Sequence, residues 1–236
     1  MSFDLASGET LALIGHSGCG KTTTLKMLNR LIEPDEGEVR LGGLNAHDMP
    51  AHEWRRRIGF VIQSAGLFPH RTVRENVLVT PRLLGWADAR QERKLRELLS
   101  MVGLPAETYA ERYPAALSGG ERQRVGLARA LAGEPDIILM DEPFAALDPL
   151  TRTGLIDDIA RLKSELGFAS VLVTHDFAEA LRLGDRVAVM DGGRIIQKGA
   201  PAELIASPAN DTVRDLLAAP RQLAETVGKA FGDQGG

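Results

Sequence analysis

The chain has 236 residues, 44% hydrophobic and 25% charged, which suits one α/β domain or such a domain carrying a smaller insertion. A formal net charge of -4 gives no broad basic footprint, so nucleic acid is not an expected partner. The single cysteine excludes an intramolecular disulfide, and no apolar run approaches the roughly 20 residues that span a bilayer.

The opening MSFDLASGET has no basic stretch followed by an apolar run, so it does not read as a signal peptide. Thr10 to Ile14 is a short apolar strand leading into the glycine-rich turn Gly15 to Gly20. A helix is expected next, with Leu25, Leu28, Leu31 and Ile32 on one face. The run Glu33-Pro34-Asp35-Glu36-Gly37 turns the chain into a strand near Val39 to Leu41, and Ile58 to Gln63 reads as another.

From Thr72 the pattern becomes helical. Thr72 and Glu75 have capping-box spacing. Asp88 is placed to cap a helix burying Leu95, Leu98, Leu99 and Val102, with Gly103 as its stop. Gly119 to Ala132 is a further helix. No strand is expected between Thr72 and Gly133, so 72–133 is read as a helical insertion between core segments 1–71 and 134–200.

The α/β rhythm resumes with the nearly continuous apolar strand Asp136 to Met140, as in a parallel sheet buried on both faces. Asp148-Pro149 is an N-cap and first-turn pair for a helix that buries Leu155, Ile159, Leu162 and Leu166 and stops at Gly167. Ser170 to Thr174 and Arg186 to Met190 are strands, and Asp191-Gly192-Gly193 turns the second back into Arg194 to Gln197. The segment 201–236 reads as a helical tail that frays at its glycine-rich end.

Three segments carry chemistry. Gly15-His16-Ser17-Gly18-Cys19-Gly20-Lys21-Thr22, followed by Thr23, matches G-x-x-x-x-G-K-[ST] between a strand and a helix. Its backbone N–H groups and the helix dipole suit a phosphate, Lys21 suits the β- and γ-phosphates, and the Thr22 hydroxyl suits Mg²⁺. Asp141 and Glu142 end an apolar strand, where two carboxylates are costly unless they meet cations or protons. Asp141 suits a Mg²⁺ site, and Glu142 suits the base that polarises water. Ser118, Gly119 and Gly120 open a helix and form a second anion-binding terminus, which suggests service to a second molecule.

Leu117-Ser118-Gly119-Gly120-Glu121 resembles the signature segment of ABC ATPases, with Glu121 in place of the usual glutamine. Gln63 resembles the family's Q-loop residue, contacting Mg²⁺ and water, while Ala146-Leu147-Asp148 resembles its D-loop and His175 its switch histidine. The resemblance implies a P-loop NTPase fold, a RecA-like parallel sheet core with an inserted α-helical subdomain. It implies ATP hydrolysis by a head-to-tail homodimer in which each signature segment, with Asp148, covers ATP held by the opposite loop. It further implies transmembrane permease partners bordering Gln63 and Phe68 to His70, a substrate-binding protein reached through them, and a peripheral place on the cytoplasmic face of the membrane.

Arg30 to Pro34, Val61 to His70 and Phe144 to Arg152 resemble the ATPases of bacterial osmoprotectant importers for glycine betaine, choline and carnitine. Family members carry a further stretch, with an adenine-stacking aromatic, ahead of the part matching Ser2 to Gly8. Stacking is worth about 1–3 kcal/mol, so ATP binding roughly 5- to 150-fold weaker, with poor discrimination against GTP, is expected of this sequence. Other ABC ATPases place long coiled coils between loop and signature, or two cassettes in one chain; neither is seen here. A hydrolytically dead module is expected to lack Glu142 or His175, and both are present.

Overall fold

The computed structural model describes residues 1–217. Along the chain run β1 (Thr10–Ile14), α1 (Lys21–Leu28), β2 (Arg40–Leu41), β3 (Leu44–Asn45), α2 (Ala51–Arg56) and β4 (Ile58–Val61). Then come the helices α3 (Val73–Val77), α4 (Val79–Leu83), α5 (Asp88–Met101), α6 (Ala106–Tyr109) and α7 (Gly119–Leu131). They are followed by β5 (Ile137–Asp141), α8 (Pro149–Leu166), β6 (Ala169–Val173), α9 (Phe177–Leu183), β7 (Arg186–Asp191), β8 (Arg194–Gly199) and α10 (Pro201–Ala206).

Six strands form one sheet in the order β4-β5-β6-β1-β7-β8. All neighbouring pairs are parallel except the β7–β8 hairpin at one edge. This is the P-loop α/β architecture expected from the sequence. The central strands are buried on both faces, and their side chains alternate between two cores. Ile138, Met140 and Leu172 pack into the core that also holds Leu95 and Leu98 of α5 and Leu127 of α7. Leu139, Val171 and Val173 pack the other way, with Leu11, Leu25 and Trp54. One-residue alternation therefore anchors the sheet to two helical layers.

Four parallel strands, β4, β5, β6 and β1, end on the same side of the sheet. Ligand sites of such sheets lie beyond the carboxyl ends of the strands. Here that places Gly15, Gln63, Asp141 and the segment after Val173 near one another in the topology.

Several local expectations need correction. Helix α1 stops at Leu28, because Arg30 takes a left-handed φ of 51° and the Leu31 N–H donates back to Lys26 O at 2.8 Å. Leu31 and Ile32 are consequently exposed rather than on the packed face. Asp88 is the first residue of α5 and not its cap; Ala87 holds that position without a side-chain bond. Leu166 lies partly exposed at the end of α8. The strand before Gln63 ends at Val61, so Gln63 lies in the loop beyond it. Thr72 and Glu75 do form the expected capping box, and Gly103 and Gly167 take positive φ as helix stops. Residues 211–217 are helical after α10. The fraying end of the tail lies outside the described residues.

Candidate nucleotide site

The loop between β1 and α1 is shaped by glycines that side chains would block. Gly15, Gly18 and Gly20 have φ of 149°, 80° and 104°. At Gly15 a Cβ would overlap the Met190 carbonyl oxygen and lie 2.8 Å from Cys19 Sγ. Gly20 caps α1 in the left-handed conformation, with no side chain over the helix N-terminus. His16, Ser17 and Gly18 are exposed on the loop, whereas Cys19 is buried beneath it.

Lys21 is buried, and its ammonium donates to Gly15 O at 2.7 Å and His16 O at 3.0 Å. The cation thus sits inside the curve of the loop. Thr22 donates its hydroxyl to Asp141 Oδ1 at 3.0 Å, which joins the start of α1 to the end of β5. Thr23 lines an adjoining cavity of about 940 Å³. Burial pushes the Asp141 carboxyl above its ordinary range, the Thr22 hydroxyl opposes that shift, and neighbouring Glu142 adds to it. A site that resists negative charge in this way gains from a cation.

Glu142 follows at φ 45°, a left-handed conformation that costs a non-glycine residue about 1–2 kcal/mol. Its N–H donates to Val173 O at 2.9 Å, pinning that turn to the neighbouring strand end. The carboxylate lies 3.4 Å from His175 Nδ1. His175 is exposed at its side chain, just past β6. Lys21, Thr22, Asp141, Glu142 and His175 therefore form one assembly, supplied by three adjacent strands.

Gln63 is tied to α7 instead. Its carbonyl accepts from Gln123 Nε2 of α7 at 2.5 Å. Arg129 of the same helix donates to Ala65 O and Gly66 O at 2.7 and 2.6 Å. Ala65 and Gly66 both have positive φ, and the guanidinium caps the carbonyls which that turn leaves outward. Burial lowers the pKa of Arg129.

Ser118, Gly119, Gly120 and Asp148 make a second group. Ser118 caps α7 in a reciprocal capping box: Glu121 N donates to its hydroxyl at 3.2 Å, and Ser118 N donates to Glu121 Oε2 at 2.6 Å. Tyr109 OH adds a bond to Glu121 Oε1 at 2.7 Å, and these donors hold the carboxyl below its usual range. A Cβ on Gly120 would overlap Thr151 Cγ2, and one on Gly119 would lie 3.8 Å from Leu147. The starts of α7 and α8 are thus packed together, and Asp148 caps α8 through Thr151 N at 3.1 Å. Among the described residues, no hydrogen bond or ion pair joins Ser118, Gly119, Gly120 or Asp148 to the loop 15–22.

The sheet order, the glycine loop and the carboxylates facing it define a P-loop nucleotide-binding protein of the α/β class. The family model described as ABC transporter matches residues 1–145, and the chain belongs to that family. It is 47% identical over 94% of its length to the glycine betaine/carnitine/choline transport ATP-binding protein OpuCA of Bacillus subtilis, covering 58% of that protein. It is 46% identical over 99% of its length to the osmoprotectant import ATP-binding protein OsmV of Salmonella typhimurium, covering 61%. The glycine betaine uptake system ATP-binding protein YehX of Escherichia coli is 49% identical over 92% of this chain and is covered to 70%. The chain thus spans about three fifths of the length of the first two relatives. A solved dimeric ATP-binding cassette in a post-hydrolysis state, bound to ADP and Pi, superposes with a TM-score of 0.75 at 34% identity, covering 84% of this chain and 88% of that one.

Proposed function

We propose that this chain is the ATP-binding and ATP-hydrolysing subunit of an ABC importer for quaternary-amine osmoprotectants. The observation that carries hydrolysis is the assembly of Lys21, Thr22, Asp141, Glu142 and His175 around one loop. The osmoprotectant reading is supported by the names of the relatives that cover most of this chain.

On this reading the loop N–H groups of Gly15 to Thr22, with Thr23, hold the phosphates of ATP. Lys21 exchanges its carbonyl partners for phosphate oxygens. The Thr22 hydroxyl and Asp141 carboxylate, 3.0 Å apart, are hard oxygen donors that fit Mg²⁺, with Gln63 completing the set. Bound there, Mg²⁺ supplies neutralisation of phosphate charge. Glu142 accepts a proton from the attacking water, and His175 orients against the γ-phosphate.

The separation of the second group from the loop supports a head-to-tail homodimer. Ser118, Gly119, Gly120 and Asp148 then cover ATP bound in the partner copy, in keeping with the dimeric arrangement of the solved cassette. The helices of 72–133 act as a subdomain between core segments 1–71 and 134–200. The loop from Gln63 to His70 faces transmembrane permease subunits on the cytoplasmic side, and through them a substrate-binding protein. Among the described residues no helix is long and apolar enough to cross a membrane, which fits such a peripheral place.

ATPase activity of the wild type beside Glu142→Gln tests the reading. Removing the base is expected to lower kcat at least about 100-fold while ATP binding persists. Equal activity in the two proteins overturns the role of Glu142.

A further inference from the structure

Between the His175 turn and the start of α8 lies a partly buried polar cluster that the proposed mechanism leaves unused. Glu179 is buried on α9 and accepts a hydrogen bond from the Thr174 hydroxyl, immediately before His175. The same hydroxyl accepts from Asp176 N at 2.9 Å, so it links Glu179 to the backbone just after His175. Across from it, Arg152 on α8 donates to Leu147 O at 3.2 Å, in the segment beside Asp148. Its guanidinium also lies 3.8 Å from Asp176 and 3.9 Å from Glu179. Arg152 Nε is buried without a hydrogen-bond partner. A buried donor 3.9 Å from a buried carboxylate needs only a shift of about 1 Å to make a charge-assisted bond.

We infer that Arg152 and Glu179 are positioning residues that tie the His175 turn to the segment Ala146-Leu147-Asp148. The chain of contacts runs from Glu142 through His175 and the Thr174 hydroxyl to Glu179, then across to Arg152 and the Leu147 carbonyl. It joins the hydrolytic assembly to the start of α8 through side chains, beside the backbone bond that Ala145 N donates to Glu142 O at 3.3 Å. Movement of either end is therefore felt at the other: ordering of 146–148 draws Arg152 toward Glu179 and sets the turn that carries His175. Among the described residues, neither side chain bonds to the loop 15–22. The inference rests on the hydrolytic reading given above, and it adds two residues and a direction of coupling to it.

The test is a double-mutant cycle on steady-state ATP hydrolysis with Arg152→Gln, Glu179→Gln and the pair. Each single change is expected to lower kcat roughly tenfold, with KM for ATP within about twofold, because positioning and not binding is lost. The pair is expected to lose about tenfold also, since each change breaks the same link. The thermal midpoint of Glu179→Gln is not expected to fall at pH 7. Arg152→Lys and Glu179→Asp serve where a glutamine variant does not fold, with losses about half as large on a logarithmic scale. Unchanged kcat in either single variant overturns the inference, and so does a loss near 100-fold in the pair or a loss that follows KM. A wild type without ATPase activity instead removes the hydrolytic reading itself, so the two failures are distinguishable.

Discussion

Replacing Gly15 by alanine separates two costs that the loop geometry predicts. Its φ of 149° is foreign to L residues, which adds about 1–3 kcal/mol of backbone strain. The new Cβ also meets the Met190 carbonyl oxygen and approaches Cys19 Sγ to 2.8 Å. Both neighbours are buried, Met190 on a central strand, so the clash is relieved only by backbone movement, at a further cost of about 1–3 kcal/mol. The total is about 2–6 kcal/mol. For a chain of this size each kcal/mol lowers Tm by roughly 2–4 °C, so a fall of about 4–24 °C is expected in scanning calorimetry. Gly18→Ala is the internal control: its φ is 80°, but nothing lies within 4 Å of its Cβ. It carries strain alone, about 1–2 kcal/mol and roughly 2–8 °C. Equal midpoints for the two variants would falsify the steric part of this reasoning, and a Gly15→Ala protein as stable as the wild type would remove both parts.

Asp148→Ala removes the bond from Thr151 N that caps α8, and a loss of about 1 kcal/mol, or roughly 2–4 °C in Tm, is expected. An unchanged midpoint would mean that the cap is redundant with Pro149. Glu179→Gln has a pH signature. Burial raises the carboxyl of Glu179, opposed by the Thr174 hydroxyl, so the folded state holds its proton more tightly than the unfolded chain. Stability from this group is therefore present at low pH and lost as pH rises through the raised folded value. The amide variant, which has no charge to bury, should be the more stable protein at pH 7, and its advantage should shrink as pH falls toward the ordinary glutamate range. Denaturant titrations at several pH values decide it: an advantage that is constant with pH, or absent, contradicts the burial argument.

Most of the sheet was legible because central parallel strands bury both faces and so appear as unbroken apolar runs, as at Ile137 to Met140. The glycine loop was legible for a related reason: its function needs backbone shape, and backbone shape is written in glycine spacing. The extent of α1 is not legible, because the apolar period continues through Leu31 and Ile32, whereas Arg30 ends the helix by making two bonds elsewhere, to Ala46 O and Met49 O. Those partners are distant in sequence and leave no local mark. The Ser118–Glu121 capping box, by contrast, was open to view in the S-x-x-E spacing and explains why glutamate serves at a position that resembles a glutamine site. Gln123, Arg129, Arg152 and Glu179 carry no mark in the sequence motifs, since each acts on a backbone or side chain that only the fold brings near. Long polar side chains inside otherwise apolar helical stripes, as at Gln123 and Arg129, were the available signal.

The bonds from the Lys21 ammonium to the Gly15 and His16 carbonyls bear on how knock-outs of this loop should be interpreted. The cation is an internal brace of the loop, so truncating it leaves two inward carbonyls without their donor and lets the cradle change shape. An inactive Lys21→Ala protein therefore mixes a collapsed binding surface with a missing phosphate contact, and it is a poor control for chemistry. Glu142 holds its turn through its own peptide N–H rather than its carboxylate. Its amide variant leaves that brace intact, which makes it the cleaner instrument for separating capture of the nucleotide from its cleavage.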